Sequence, residues 1–241
     1  MTADKFEFIE DTHTYLLNGK KVTGVTTILG VIAKPALIQW AANKAVDYVN
    51  KAYFENKDTF VDRLSDILDN AKKAHITVRD DAAKKGTNVH SIVEEWINQC
   101  IDHYDGKAIA PMEEHPNKQF VKFYTWAVEN QVVFLASEVP VYSKKHYYAG
   151  TYDFMFKMDG KKYMGDLKTS NGIYGREYFA QCAAYRLAHE EMTGEKDIDG
   201  SMVVRCGKNG TFEAVASYDY ETDKDIFLAA LKLYRGLATY K

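Results

Sequence analysis

Two short segments carry side chains that could do chemistry together: Gly150-Thr151-Tyr152-Asp153 and Gly165-Asp166-Leu167-Lys168-Thr169-Ser170. Both read as strands, over residues 148–158 and 161–168, joined at Asp159-Gly160, a pair that favours a tight hairpin turn. Side chains alternate along a strand, so Asp166 and Lys168 are expected on one face and Leu167 on the other. Asp153, on the neighbouring strand, can then stand beside Asp166. Carboxylates held that close repel unless a cation lies between them. Hard oxygen donors of this kind favour Mg²⁺ or Mn²⁺. A lysine next to such a pair can hold an attacking water or meet negative charge developing on a phosphate, while the metal activates the water. The implied reaction is hydrolysis of a phosphodiester. The flanking residues sharpen this reading. Asp166 follows Tyr163 and Met164, and Asp153 lies between Tyr152 and Phe154, so each charge needs a partner.

The rest of the chain must position these residues. Residues 6–17 alternate as a small hairpin, and residues 22–29 follow, with Thr26 or Thr27 as a helix cap. Pro35 opens a helix over residues 36–54, a second helix covers 59–70, and a third runs towards Lys85. Gly86 is expected to break the pattern, with Thr87 or Asn88 capping the next helix. There Val89, Ile92, Val93, Trp96, Ile97 and Ile101 form one apolar stripe. An amphipathic helix over 117–130 precedes a strand over 132–142 and then the hairpin. A helix over 176–192 closes at Gly194, strands over 198–206 and 211–218 turn at Asn209-Gly210, and a helix over 222–240 ends the chain. From residue 117 the order is α-β-β-β-α-β-β-α, which predicts an α/β fold with a mixed central sheet flanked by helices. The expected organisation is a hairpin and helical region over 1–85, packed on a core over 86–241.

These residues resemble the PD-(D/E)XK nuclease superfamily, whose signature is a carboxylate on one strand and (D/E)-x-K on the next. Gln181 and Tyr185, four apart and so on one helix face, match the Q-x-x-x-Y element of its RecB-like exonuclease branch. Gly86-Thr87-Asn88-Val89-His90 is similar to that branch's G-x-x-x-H element, and Glu138 with Val139 and Pro140 matches its Glu-Val-Pro strand. Val25-Thr26-Thr27-Ile28-Leu29 with Trp40 is similar to the phage-type and mitochondrial genome maintenance exonucleases. The ordered motifs span residues 86–206. The resemblance implies a restriction-endonuclease-like core, α-β-β-β-α-β, with an N-terminal helical region.

By that resemblance Asp153 and Asp166 bind the metal, His90 supplies an imidazole ligand and the Leu167 carbonyl a further one. Lys168 is the catalytic lysine, and Gln181 and Tyr185 orient it or contact the substrate backbone. Glu94, one turn beyond His90, either joins the ligands or stays solvated. Thr169, Ser170, Tyr174 and Arg176 follow Lys168 and are expected to contact substrate, through a phosphate or by stacking on a base. The implied activity is a Mg²⁺- or Mn²⁺-dependent deoxyribonuclease on single- or double-stranded DNA. It would be an exonuclease in recombination, repair or phage DNA processing, working with a recombination or single-strand-binding partner. Little sequence specificity is expected, because phosphate contacts carry no base information. The alternatives are a structure-specific endonuclease on the same core and a non-catalytic nucleic-acid-binding or assembly protein that retains the fold.

Composition sets the outer limits. The 241 residues are 46% apolar and 27% charged, as in globular proteins, and 31 Lys plus Arg against 34 Asp plus Glu give a net charge of −3. That excludes a protein coated in positive charge but not an enzyme with one basic groove. The pairs Lys72-Lys73, Lys84-Lys85, Lys144-Lys145 and Lys161-Lys162 either line such a groove or form solvated faces. No apolar run approaches the roughly 18–20 residues of a membrane helix. No secretory signal is visible, so no membrane association and a cytoplasmic location, in a bacterium or a phage-infected cell, are expected. Cys100, Cys182 and Cys206 form no C-x-x-C pair and read as reduced thiols; three cysteines cannot hold a four-cysteine iron–sulfur cluster. No G-x-x-x-x-G-K-[ST] is present, so no nucleotide cofactor is expected, and neither H-E-x-x-H nor G-x-S-x-G occurs.

Overall fold

The apolar residues of this chain follow two periods, helical and strand, and the two meet in each core. The computed structural model describes residues 4–111, 114–170, 172–208 and 210–238. They divide into two units, one running up to Ile32 and resuming at Val89, the other Ala33–Asn88.

The larger unit is built on a mixed sheet of eight strands: β1 (Phe6–Ile9), β2 (Thr14–Leu17), β3 (Lys20–Gly24), β4 (Val133–Ser143), β5 (Tyr148–Met158), β6 (Lys161–Lys168), β7 (Gly200–Cys206) and β8 (Phe212–Ser217). The order is β1-β2-β3-β5-β6-β7-β8, with β4 pairing β5; β3–β5 and β6–β7 are parallel and the other pairs antiparallel. The helices are α1 (Val25–Leu29), α2 (Pro35–Glu55), α3 (Leu64–Ala71), α4 (Ala74–Tyr104), α5 (Lys118–Glu129), α6 (Glu177–Thr193) and α7 (Tyr220–Ala238). The α4 stripe of Val89, Val93, Trp96 and Ile97 packs with Phe120 and Phe123 of α5 on one sheet face, against Phe134, Phe154, Phe156 and Leu167. On the other face Ile28 of α1, Ala184 of α6 and Phe227 of α7 cover Tyr148, Tyr152 and Met164.

Strand β5 organises the site. Along its whole length β4 lies on one side. On the other side β3 pairs only with Tyr148 and Ala149, and β6 only from Phe154 onward. Gly150 to Asp153 therefore line a fork where two neighbouring strands diverge. The strand also turns over there: Tyr152 belongs to the α6 side of the sheet, whereas Phe154, two residues on, belongs to the α5 side. Opposite this point, between the pairs Ser137–Phe154 and Val139–Tyr152, Glu138 has a φ of 49°, a left-handed conformation uncommon for a side chain of its size. Strict alternation does hold in β6. Tyr163 and Leu167 face one core and Met164 the other, so Asp166 and Lys168 share a face as expected.

Several boundaries follow from local chemistry. Asp159 and Gly160 have φ of 50° and 72°, as a primed hairpin turn between β5 and β6 demands. Gly194 ends α6 in the left-handed conformation. Asn117 caps α5, its side chain accepting from the amides of Gln119 at 3.0 Å and Phe120 at 3.1 Å. Asn117→Ala should cost about 1 kcal/mol, read from urea unfolding.

Four expectations are corrected. The N-terminal hairpin extends through β3 into the main sheet, so a division at residue 85 does not describe the chain. Gly86 lies inside α4, which continues past it; one interior glycine costs only about 1 kcal/mol, less than the packing of the stripe beyond it. Gly24, not Thr26 or Thr27, occupies the cap position of α1, which leaves both threonines on its exposed surface. The helix expected from residue 59 begins at Leu64, after a 3₁₀ turn at Lys57–Thr59. Asn209, Tyr240 and the side chains of Lys84, Lys85 and Thr87 lie outside the described residues.

The smaller unit holds α2, α3 and the start of α4. Ile67 and Ala71 of α3 are buried, and Trp40 meets His75 edge to face. No helix of the structure is long and apolar enough to cross a membrane, among the described residues.

Candidate active site

At the fork the polar side chains fall into two linked groups. The first centres on Asp166, whose side chain is 1% exposed. Lys168 Nζ donates to its Oδ1 at 2.6 Å and stands 2.5 Å from Oδ2; Gln181 Nε2 also donates to Oδ1, at 3.1 Å. Gln181 further donates to the Tyr185 hydroxyl at 3.0 Å, which joins the (D/E)-x-K strand to the Q-x-x-x-Y helix in one chain of hydrogen bonds. Lys168 also lies 5.7 Å from the centre of the Tyr178 ring. Burial raises the Asp166 carboxyl; Lys168 opposes that rise and Asp153 adds to it. Burial also disfavours the Lys168 ammonium, yet Asp166 and Asp153 together hold its proton more tightly than in an ordinary lysine. Asp166 Oδ2 is buried, and its close partner among the described residues is the Lys168 ammonium.

The second group is His90, Glu138 and Asp153, whose ligating atoms lie within 4.8 Å of one another. His90 Nδ1 is 3.7 Å from Asp153 Oδ2. The same Oδ2 accepts from the Leu167 amide at 2.7 Å, so the Asp153 carboxylate takes the place a strand partner would fill where β5 and β6 part. A cavity of about 10 Å³, about the room of one water or one ion, opens between these residues, Glu94 and Leu167. Burial pushes the Glu138 carboxyl up to about 8, and the charges of Asp153, Glu94, Asp166 and Glu10 add to the rise. Glu94 is also raised, by burial and then by Glu10.

The Glu138 shift has a consequence for stability. The folded protein keeps a proton there that the unfolded chain releases near its ordinary value of 4.5, so stability falls as pH rises from that point through about 8. With chelator present, the wild type should lose on the order of 2 kcal/mol between about pH 5 and pH 8. Glu138→Gln should flatten that slope, and urea unfolding at the two pH values measures both.

These donors fit a divalent cation. Crowded carboxylates, one of them raised by burial and by the charges of its neighbours, are the electrostatic signature of a site that a cation relieves. His90 and Asp153 come together as expected. Asp166 does not join them within ligating distance, because its carboxylate is turned to Lys168, the cation that offsets its burial. Leu167 is present through its amide and as a wall of the cavity.

Sequence reasoning missed Glu138 as a member of the acidic group and Tyr178 as a neighbour of Lys168. The Glu-Val-Pro match carried the signal for the first. Of the expected substrate contacts, Tyr174 is 71% exposed. Ser170 donates to the Gly172 carbonyl at 3.0 Å, and Thr169 stands half-buried at the end of β6. Arg176 is engaged elsewhere, at 2.8 Å from buried Asp223 and 2.9 Å from Asp219, and so ties the start of α6 to α7. The three cysteines are free and buried. The chain matches no family model and no curated protein sequence.

Proposed function

We propose that this chain is a metal-dependent deoxyribonuclease with a restriction-endonuclease-like core, an exonuclease that hydrolyses phosphodiester bonds with little sequence preference. The observation that carries this reading is the buried Asp166–Lys168 pair, hydrogen-bonded to Gln181 and set beside the His90, Glu138 and Asp153 group. His90, Glu138 and Asp153 would hold Mg²⁺ or Mn²⁺, with Asp166 beside them engaged by Lys168. When bound, such an ion lowers the pKa of a coordinated water and neutralises phosphate oxygens. Lys168 keeps its proton and offers a fixed positive tip to an attacking water or to charge developing on the phosphate. Gln181, anchored on Tyr185, fixes the orientation of the Asp166–Lys168 pair. Leu167 and Phe154 close the apolar side of the site against bulk water.

The test is digestion of end-labelled linear DNA with Mg²⁺ or Mn²⁺, with and without chelator. Chelator-sensitive release of short products from linear DNA, with circular single strands left intact, is the expected result. Cleavage of the circles would replace the exonuclease by an endonuclease on the same core. No cleavage with either metal would remove the enzymatic reading.

A further inference from the structure

A second, larger hollow opens beside the fork, and none of the chemistry above uses it. It measures about 510 Å³, within the range of sites that take one small ligand unit and too small for a duplex. Its walls come from the β2–β3 hairpin, the first turn of α1, Gly150 and Thr151 of β5, and Tyr185. Six of its fifteen lining residues are threonines, Lys21 and His13 are its basic members, and none is acidic. That composition runs against a chain whose net charge is −3. Lys21 is exposed and makes no ion pair among the described residues, and the hydroxyls of Thr23, Thr26 and Thr27 make no hydrogen bond there.

Hydrogen bonds tie the hollow to the site. Tyr185 borders it and reaches Asp166 through Gln181. Thr151, two residues before Asp153, accepts or donates at 3.0 Å with the Tyr15 hydroxyl, which also meets His13 Nε2 at 3.1 Å. Gly150 matters here, because a methyl at that position would collide with the ring of Tyr185, which lines the hollow with it. An acid-free wall with the three open hydroxyls of Thr23, Thr26 and Thr27 and the Lys21 ammonium suits a singly charged, oxygen-rich backbone rather than a flat apolar ligand.

We propose that this hollow holds one sugar–phosphate unit of an unpaired DNA strand next to the bond being cut, with Lys21 on its phosphate and Thr26 and Thr27 hydrogen-bonding its oxygens. The inference rests on the nuclease reading for its substrate, but its test does not require cutting. Binding of a short fluorescent oligothymidylate is followed by anisotropy with chelator present, across a salt series. Lys21→Ala should weaken binding by about threefold to tenfold and lower the salt slope by about one unit. The double variant Thr26→Val with Thr27→Val should weaken it by about fivefold or more with the salt slope kept. Lys196→Ala, an exposed control, should match the wild type.

Equal binding by the wild type, Lys21→Ala and the threonine variant would overturn the proposal while leaving the nuclease reading in place. Displacement by thymidine monophosphate as effective as by the oligonucleotide would overturn it in favour of a free-nucleotide site. In cleavage assays the expected signature of Lys21→Ala is a raised KM with kcat kept. Absence of cleavage together with the expected binding losses would sink the nuclease reading alone.

Discussion

Lys168→Ala and Asp166→Asn are each expected to lower metal-dependent DNA hydrolysis by about 10²–10³-fold or more, measured as kcat under single-turnover conditions. The two effects should not multiply in the double variant, because the side chains form one unit: Nζ lies within 2.6 Å of both carboxylate oxygens. Stability separates them. Lys168→Met leaves Asp166 buried without its cation, and breaking a buried pair on one side costs about 3–5 kcal/mol at most. Here the cost should sit at or below that lower figure, because burial already favours the protonated form of Asp166. Asp166→Asn keeps an acceptor for Lys168 and Gln181 and should fold with nearly wild-type urea sensitivity while losing activity. Full activity in either variant would show that this pair is a structural ion pair only.

Gly165→Ala should be among the most damaging single changes in the sheet, at about 3 kcal/mol or more. The added methyl would run into the Phe154 ring, which is fully buried between Phe123, Phe134 and Phe156 and has nowhere to move. For a chain of this size that corresponds to a fall in Tm of about 6–12 °C. Phe154 directly follows Asp153, so the same change should also displace the carboxylate from the Leu167 amide and depress activity in whatever protein remains folded. A Tm within a degree or two of the wild type would show that the Phe154 ring can swing away.

Much of the architecture could be read from the chain because its local signals agree. Strands β5 and β6 begin and end where alternation and Asp159-Gly160 place them, and α5 starts at the asparagine whose side chain caps it. What could not be read depends on contacts distant in sequence. The parallel pairing of β3 with β5 joins residues more than a hundred positions apart, and no pattern in either strand announces it. Without that pairing the fork is invisible, and with it the reason why Asp153 bonds to the Leu167 amide. Period-two alternation fails at Asp153 because β5 turns over there, opposite the left-handed Glu138. For the same reason Glu138 reads as part of a strand motif when it is in fact an acidic neighbour of Asp153. Arg176 misled in the other direction. A basic residue at a helix start looks free to meet phosphate, but the α6–α7 contact claims it through Asp219 and Asp223, more than forty positions later.

Asp153 holds two unrelated duties in one functional group. Its geometry zips the open end of the β5–β6 seam, and its negative charge faces His90 and Glu138. An amide of equal shape performs the first duty and abolishes the second, whereas truncation to alanine removes both. Scaffold and charge can thus be dissected at a single position.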